Sequence, residues 1–319
     1  MPELPEVETV VRGLQAHLPG RKIVEVRFGK TDFVIEPEAI ASGLAGRAIS
    51  GVRRFGKFLL VECEAADSAG PRDPAAGAAT KRAMGRATKG AEEPATKGAE
   101  ENDALLIHLG MTGQLTVPPS SAPVAPHTHV FFALDDGREL RYTDIRRFGQ
   151  MQLLRNGERE RVLGALGLDP LEASEKEFSA RFGARHARVK ALLLDQHVLR
   201  GVGNIYADES LWRARIHPMR TGDSLRPEEL RRLYRALQVT LREAIRLRGS
   251  SVSDYVDAEG ARGEFQLRHR VYQREGKKCY RCGAAIRRAI VAGRSSHFCA
   301  QCQRAPRKQK QIRPGRSTR

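Results

Sequence analysis

Two cysteine pairs constrain this chain more than any other feature: Cys279-x-x-Cys282 and Cys299-x-x-Cys302, with sixteen residues between them. Each C-x-x-C turn presents two thiolates to one side, and two such turns complete the tetrahedron that zinc prefers. A redox dithiol or two disulfides would use the same residues, but both fit poorly with a basic chain whose cysteines are expected to be reduced. With four sulfurs bound, no ligand position remains for water, so the expected metal is one structural zinc. Between the pairs, 284–291 and 295–298 read as strands joined by Ala292-Gly293-Arg294, which places Arg294 at a hairpin tip. The fifth cysteine, Cys63, ends an apolar strand and is expected to be buried and inert.

The charge balance names a class of partner. Fifty-five Lys and Arg against 38 Asp and Glu leave +17 over 319 residues, which points to a polyanion. Eleven of those cations, and no acid, fall between Cys279 and Arg319. No apolar run approaches the roughly 18 residues of a membrane span. Glu3, Glu6 and Glu8 stand where a secretion signal would be basic and then apolar. Membrane and secreted classes are therefore disfavoured, and a cytoplasmic protein is expected.

The patterning predicts an α+β, multidomain chain. An amphipathic helix over 5–18 precedes short β-like runs at 23–28, 58–63, 104–109, 130–134 and 139–142, with the tight-hairpin pair Asp136-Gly137 between the last two. Residues 2–150 thus read as one helix on an antiparallel β-sandwich. Inside them, 64–102 changes composition, and the octapeptide Ala87–Pro94 recurs as Ala95–Asn102 except at its last residue. So few apolar residues predict a disordered insertion looping out between two strands. Residues 151–265 read as helical, with helices over 175–182, 189–195, 205–213 and 227–247. The last carries Leu230, Leu233, Leu237, Leu241 and Ile245 as a core stripe. Residues 266–303 form the finger, and 304–319 a basic tail.

Several local patterns carry chemistry. Gly201-Val-Gly-Asn204 lets backbone N–H groups converge on an anion, with Asn204 as the expected cap of the following helix. Asp144-Ile-Arg-Arg-Phe-Gly149 puts two guanidinium groups beside an aromatic. That is either a surface ion pair with one core Phe, or a wedge that fills the gap left by a flipped base. His108-Leu-Gly-Met-Thr-Gly113 holds Met111 on a glycine-flanked turn, a candidate second wedge. His127-x-His129 has no third ligand nearby and reads as structural or phosphate-facing. At the start, removal of Met1 would leave Pro2 a free secondary amine. An α-amino group has a pKa near 8, so a useful fraction is nucleophilic at neutral pH, and Glu3 stands beside it. Composition alone allows Met1-Pro2 to be no more than a common beginning.

Taken together, these residues resemble the bacterial formamidopyrimidine-DNA glycosylase family. The resemblance rests on Pro2-Glu-Leu-Pro-Glu-Val-Glu-Thr9, His108–Gly113, Tyr142–Gly149, Leu166-Gly-Leu-Asp-Pro-Leu171, Gly201-Val-Gly-Asn-Ile-Tyr-Ala207 and the finger, in family order. It implies a β-sandwich, a helix–two-turn–helix module and a β-hairpin zinc finger around damaged double-stranded DNA. The implied activity is a bifunctional glycosylase and abasic-site lyase for oxidised purines, acting as a monomer without organic cofactor in base excision repair. By the resemblance Pro2 forms a Schiff base at the sugar, Glu3 donates a proton, Lys57 serves β-elimination and Arg294 grips phosphate for δ-elimination. Met111, Arg146 and Phe148 fill the void, and His127, Arg147, Lys190 and Asn204 meet the DNA backbone. Arg185 joins them where the family pattern leads one to expect a lysine. The loop 250–263 is implied to close over the flipped base. The more charged stretch 266–274 departs from the family's approach to the finger. An endonuclease VIII-like enzyme for oxidised pyrimidines is the nearest rival, and a silent zinc-finger DNA-binding protein the rival from another class. Pro2, Glu3 and Lys57 together disfavour the latter.

Overall fold

The computed structural model describes residues 1–64, 103–155, 157–252 and 255–305. Helix α1 (Leu4–Gln15) carries Val7, Val10, Val11 and Leu14 as a buried face with Pro5 in its first turn. After it come β1 (Ile23–Phe28), α2 (Pro37–Leu44), β2 (Ile49–Phe55), β3 (Phe58–Cys63), β4 (Asp103–His108), β5 (Gln114–Thr116), β6 (Thr128–Leu134), β7 (Glu139–Thr143) and β8 (Gln150–Leu154). Two four-stranded antiparallel sheets result, in the orders β1-β6-β7-β5 and β2-β3-β4-β8. Inward-facing residues of both sheets, among them Val52, Val61, Ile107, Phe132 and Tyr142, share one core with α1.

Helices α3 (Glu158–Leu163), α4 (Glu175–Gly183), α5 (Val189–Leu194), α6 (Asn204–Ala214) and α7 (Pro227–Arg246) follow, and β9 (Ile286–Val291) and β10 (Arg294–Cys299) close the chain's described part. The stripe Leu230, Leu233, Leu237, Leu241 and Ile245 on α7 is buried in a second core, as its spacing predicts. Truncating one such side chain to alanine costs about 2–5 kcal/mol.

The cores are not divided by sequence alone. Leu4, from the first helix, belongs to the second core, whereas Tyr255 and Ala258, far along the chain, belong to the first. The N-terminus is thereby clamped between the two bodies: Leu4 N donates to the Gly201 carbonyl at 2.9 Å.

Five elements lie outside the sequence expectation: α2, β2, β5, β8 and α3. Strand β2 reads Ile-Ser-Gly-Val-Arg-Arg-Phe, in which Gly51 and two arginines mask the alternation, and a register shift falls between Ile49 and Gly51. Asn204 is a correction too. It is the first helical residue of α6; the cap position is Gly203, whose extended backbone turns the loop into the helix. Residues 65–102, expected to be a disordered insertion, and most of the basic tail, 306–319, lie outside the described residues. Their flanks are informative: Cys63 pairs directly with Asp103 across β3 and β4, so the chain leaves and re-enters the sheet at one point. Cys63 itself is fully buried, and burial pushes its thiol up to about 12, as expected of an inert cysteine. Among the described residues no helix is long and apolar enough to cross a membrane.

Candidate active site and nucleic-acid interface

The tight turn between β2 and β3 presents Lys57. Phe55 pairs with Phe58, leaving Gly56 and Lys57 as the turn residues, with Gly56 at φ +63°. A Cβ on Gly56 would lie 3.0 Å from Arg200 Cβ, so the turn packs against the segment leading into α6. That same α6 start receives Glu3. Its carboxylate accepts the N–H groups of Gly203 (2.9 Å), Ile205 (3.0 Å) and Tyr206 (3.4 Å), filling a helix N-terminus with a negative charge. Gly203 is required there, since a Cβ would stand 2.3 Å from Glu3 Cδ.

Glu6 lies behind Glu3. It accepts from the N–H of Glu3 (2.8 Å), the N–H of Ser250 (2.7 Å) and the hydroxyl of Tyr206. Burial, then the neighbouring charge of Glu3, pushes Glu6 up to about 7. Burial also raises Glu3, against the opposing pull of Lys57 and the α6 N–H groups. Lys57 moves down, chiefly because it is desolvated and then because Arg294 repels it, while Glu3 and Glu6 oppose the drop. A carboxyl raised and an amine lowered in one place is how a site readies a proton donor and a base.

Glu3 and Lys57 line a cavity of about 600 Å³ with Met1, Met111, Asn204, Tyr272 and Arg294, with Glu6 buried behind Glu3. A larger cavity, about 710 Å³ near His186 and Arg220, has its acid Glu229 held down, against burial, by Arg220 and so offers no raised carboxyl beside a lowered amine. Met1 is 49 % exposed at the mouth and Pro2 is buried beneath it. Arg294 opens β10 beside the Ala292-Gly293 turn, so the finger hairpin delivers its guanidinium to the cavity edge.

The wedge candidates meet at a second turn pair. Gly110 takes φ +59°, and a Cβ there would lie 2.4 Å from the Phe148 backbone, which brings the Met111 and Phe148 turns together. Buried Asp144 ties them. It accepts from the hydroxyls of Thr112 (2.5 Å) and Tyr142 (3.1 Å) and from the N–H groups of Arg146 (3.2 Å) and Gly149 (2.9 Å). The Arg146 guanidinium lies 4.8 Å over the Phe148 ring. Met111 and Phe148 are 38 % and 56 % exposed, an arrangement that costs apolar hydration unless something covers them. Sequence reasoning gave no role to Glu6 or Tyr206, which act through partners far away in the chain, and read Asp144 only as part of its motif, without the burial that makes it a hub.

The remaining expected contacts are distributed unevenly. His127 and Arg147 both adopt positive φ, and Arg147 pairs with Asp32 at 3.0 Å. Arg185 is exposed on the loop after α4, its Nε donating to the Arg181 carbonyl. Lys190 requires a correction. It is fully buried, with Nζ donating to Asp208 (2.7 Å) and to the Ser295 carbonyl (2.7 Å), so its ammonium joins α5, α6 and the finger and is closed to a phosphate. Asp208 also accepts the N–H of His297 at 2.8 Å, which makes it the hub of that joint. In the loop 250–263, Ser250 and Tyr255 are tied to Glu6, the latter by its hydroxyl donating to the Glu6 carbonyl at 3.2 Å. Residues 253–254 of that loop lie outside the described residues.

The four finger sulfurs all lie within 4.8 Å of one another. A tetrahedral zinc with Zn–S bonds of about 2.3 Å requires sulfurs about 3.8 Å apart, so the cluster fits. Cys279, Cys282, Cys299 and Cys302 hold one structural zinc, and Trp212 Nε1 donates to the Cys279 sulfur at 3.4 Å from outside the shell.

A β-sandwich and a helical body that enclose a carboxylate–lysine cavity, with a zinc finger at its rim, define a multidomain DNA-processing enzyme. Comparison with known proteins makes the class specific. The Formamidopyrimidine-DNA glycosylase N-terminal domain profile matches residues 1–151, its H2TH domain profile 166–256, and the zinc finger found in FPG and IleRS 276–305. Formamidopyrimidine-DNA glycosylases of Solibacter usitatus and Herpetosiphon aurantiacus are 42 % and 39 % identical, each covering 95 % of this chain and 100 % of the relative. A Lactococcus lactis FPG mutant solved with Fapy-dG-containing DNA superposes with a TM-score of 0.77 at 31 % identity, over 95 % of this chain and 100 % of that one. The MutM (FPG) protein of Thermus thermophilus gives 0.75 at 38 %, over 95 % and 98 %. The chain belongs to the formamidopyrimidine-DNA glycosylase family, and is a DNA glycosylase of base excision repair.

Proposed function

We propose that this enzyme excises oxidised purines, 8-oxoguanine and formamidopyrimidines, from duplex DNA and then cleaves the strand, working as a monomer in the cytoplasm on the nucleoid. The observation that carries this reading is the convergence of the Met1-Pro2 end, Glu3, Lys57 and Arg294 on one cavity. Once Met1 is removed, the Pro2 nitrogen lone pair attacks C1′ of the flipped nucleotide. The bond from C1′ to the base breaks and the base leaves with a proton supplied from the Glu3 carboxyl; the Pro2 nitrogen then gives up its own proton to the Glu3 carboxylate, which passes it to O4′ as the C1′–O4′ bond opens, leaving an iminium at C1′. That cation draws electrons from C2′, so Lys57 removes a C2′ proton and the 3′ phosphate departs. A second elimination, with Arg294 on the phosphate, releases the 5′ side. No organic cofactor is needed, because the iminium is the electron sink.

Flipping costs a few kcal/mol. Met111, Arg146 and Phe148, held on touching turns, fill the vacated stack, while His127, Arg147, Arg185 and Asn204 bind the backbone. Solved relatives support damaged duplex DNA as the partner: L. lactis Fpg has been solved with abasic-site DNA and with Fapy-dG DNA. The wild-type L. lactis protein has also been solved with oxidised-pyrimidine DNA, so the test compares both lesion classes.

Borohydride trapping tests the proposal. The processed protein is expected to form a covalent adduct with an 8-oxoguanine·cytosine duplex and far less with a dihydrouracil duplex. Retained Met1 abolishes the adduct. An adduct mainly on dihydrouracil moves the enzyme to the pyrimidine branch. No adduct with either duplex overturns the imine mechanism.

A further inference from the structure

The segment 266–281 carries Arg268, Arg270, Arg274, Lys277, Lys278 and Arg281 against a single carboxylate, Glu275. Glu275 faces Arg288 at 4.0 Å. None of the six cations has a carboxylate within 4.0 Å among the described residues, whereas the exposed Arg53, Arg161 and Arg231 elsewhere each pair with an acid. At the centre stands Tyr280, 64 % exposed, with the guanidinium groups of Arg274 and Arg270 at 3.9 and 4.9 Å from its ring. This cluster is built. Arg274 Nη1 donates to the Arg270 carbonyl at 2.7 Å, and Arg281 stacks on Trp212 at 4.1 Å while donating to the Trp212 carbonyl. Buried Glu209 of α6 accepts the N–H groups of Arg270, Val271 and Tyr272, fixing the segment to the helix.

Tyr272 of this segment lines the catalytic cavity, but the end of the segment at Arg281 lies away from it. The cavity lies at the N-terminus of α6, beside Asn204 and Glu3, whereas Arg281 rests on Trp212, eight residues along the helix. At 1.5 Å per residue that is about 12 Å of helix. The two ends of α6 therefore serve different faces. A phosphate array is the ligand that matches several uncompensated cations around an exposed ring.

We propose that this outer face of the finger is a second contact for duplex DNA, taking the backbone of another DNA segment while the first occupies the cleft. The device is direct transfer between segments: the enzyme is handed from one duplex to the next through a short-lived complex with both. The proposal rests on the chain being a DNA glycosylase and is independent of the lesion it excises.

The experiment follows the zinc-loaded, full-length protein leaving a labelled duplex with a tetrahydrofuran abasic-site analogue. It is chased with increasing unlabelled, undamaged duplex. Direct transfer makes the dissociation rate climb with chase concentration. The variant Lys277→Gln/Lys278→Gln/Tyr280→Ala changes only exposed side chains away from the cavity. It is expected to leave at a rate independent of chase, with its affinity for a single short duplex within about twofold of wild type. Lys277→Gln/Lys278→Gln, which keeps the ring, is expected to lower the salt slope of the chase-dependent rate by roughly 2, about 0.9 per neutralised phosphate contact. A wild-type rate that ignores the chase overturns the proposal, as does a triple variant that keeps full chase dependence. Equal acceleration by polyglutamate overturns duplex DNA as the occupant in favour of an acidic protein partner.

Discussion

Replacing Glu6 by glutamine isolates the electrostatic cost of the buried carboxyl behind Glu3. Glu6 is 2 % exposed, and burial, reinforced by Glu3, raises its carboxyl from the ordinary 4.5 to about 7. A carboxyl raised in the folded state stabilises the fold in its protonated form. That contribution is fully present below pH 4.5 and is lost as pH climbs through about 7. The gap of about 2.5 pK units amounts to on the order of 3 kcal/mol at 1.36 kcal/mol per unit. Glutamine carries no charge and loses this dependence. It keeps one oxygen for the Tyr206 hydroxyl and the Ser250 N–H, but turns an NH2 toward the Glu3 N–H, formerly bonded at 2.8 Å. That mismatch costs about 1–3 kcal/mol at every pH. Glu6→Gln is therefore expected to be the less stable protein at pH 5. The difference should then move in the variant's favour by on the order of 3 kcal/mol by pH 9. Urea unfolding followed by far-ultraviolet circular dichroism, with zinc saturating and equal m-values required, measures the difference across that range. A difference that stays constant from pH 5 to pH 9 would refute the argument, because Glu6 would then have the same charge in folded and unfolded chains.

Lys190→Ala leaves Asp208 buried with one partner removed and should cost about 3–5 kcal/mol. Arg185→Ala should barely change stability but lower the salt slope of DNA binding by about 1; equal salt slopes for these two variants would contradict their opposite burial. Lys57→Ala is expected to retain lesion-duplex binding within about tenfold while slowing strand cleavage by about 100-fold or more, read by single-turnover gel assay. Chelating the zinc should unfold the β9–β10 hairpin and remove Arg294 from the cavity edge, so cleavage and DNA affinity should fall together and return on zinc addition. Removing 304–319, seven cations and no acid, is expected to weaken undamaged-DNA binding and flatten its salt dependence; an unchanged slope would leave that tail without a DNA role.

Much of the framework is written locally in the chain. The stripe on α7, the apolar runs of β3 and β4, the Asp136-Gly137 hairpin and the four cysteines each encode their structure within a few neighbouring residues, where periodicity and side-chain chemistry suffice. Strand β2 and helix α2 were obscured because tertiary pairing, and not local pattern, holds their polar and glycine-containing sequences in place. The same division runs through the site. Residue types named Pro2, Glu3, Met111, Phe148, Arg294 and the zinc ligands as candidates, and the family resemblance added Lys57. Their meeting is tertiary: a turn at 56–57, a helix start at 203–206 and a hairpin tip at 294 converge only after both cores form.

Burial was decided by the fold alone, and burial sets the chemistry. Lys190 and Arg185 are both cations in a basic module, yet one is sealed against Asp208 and Ser295 and the other meets solvent. Glu6 and Glu8 stand two residues apart on α1 and read alike. Glu6 faces the dry interior beside Glu3 and is raised, whereas Glu8 pairs with Arg54 and Arg12 and is lowered. A sequence specifies which groups can ionise. Desolvation and the distance to another charge, which depend on segments two hundred residues apart, decide whether they do.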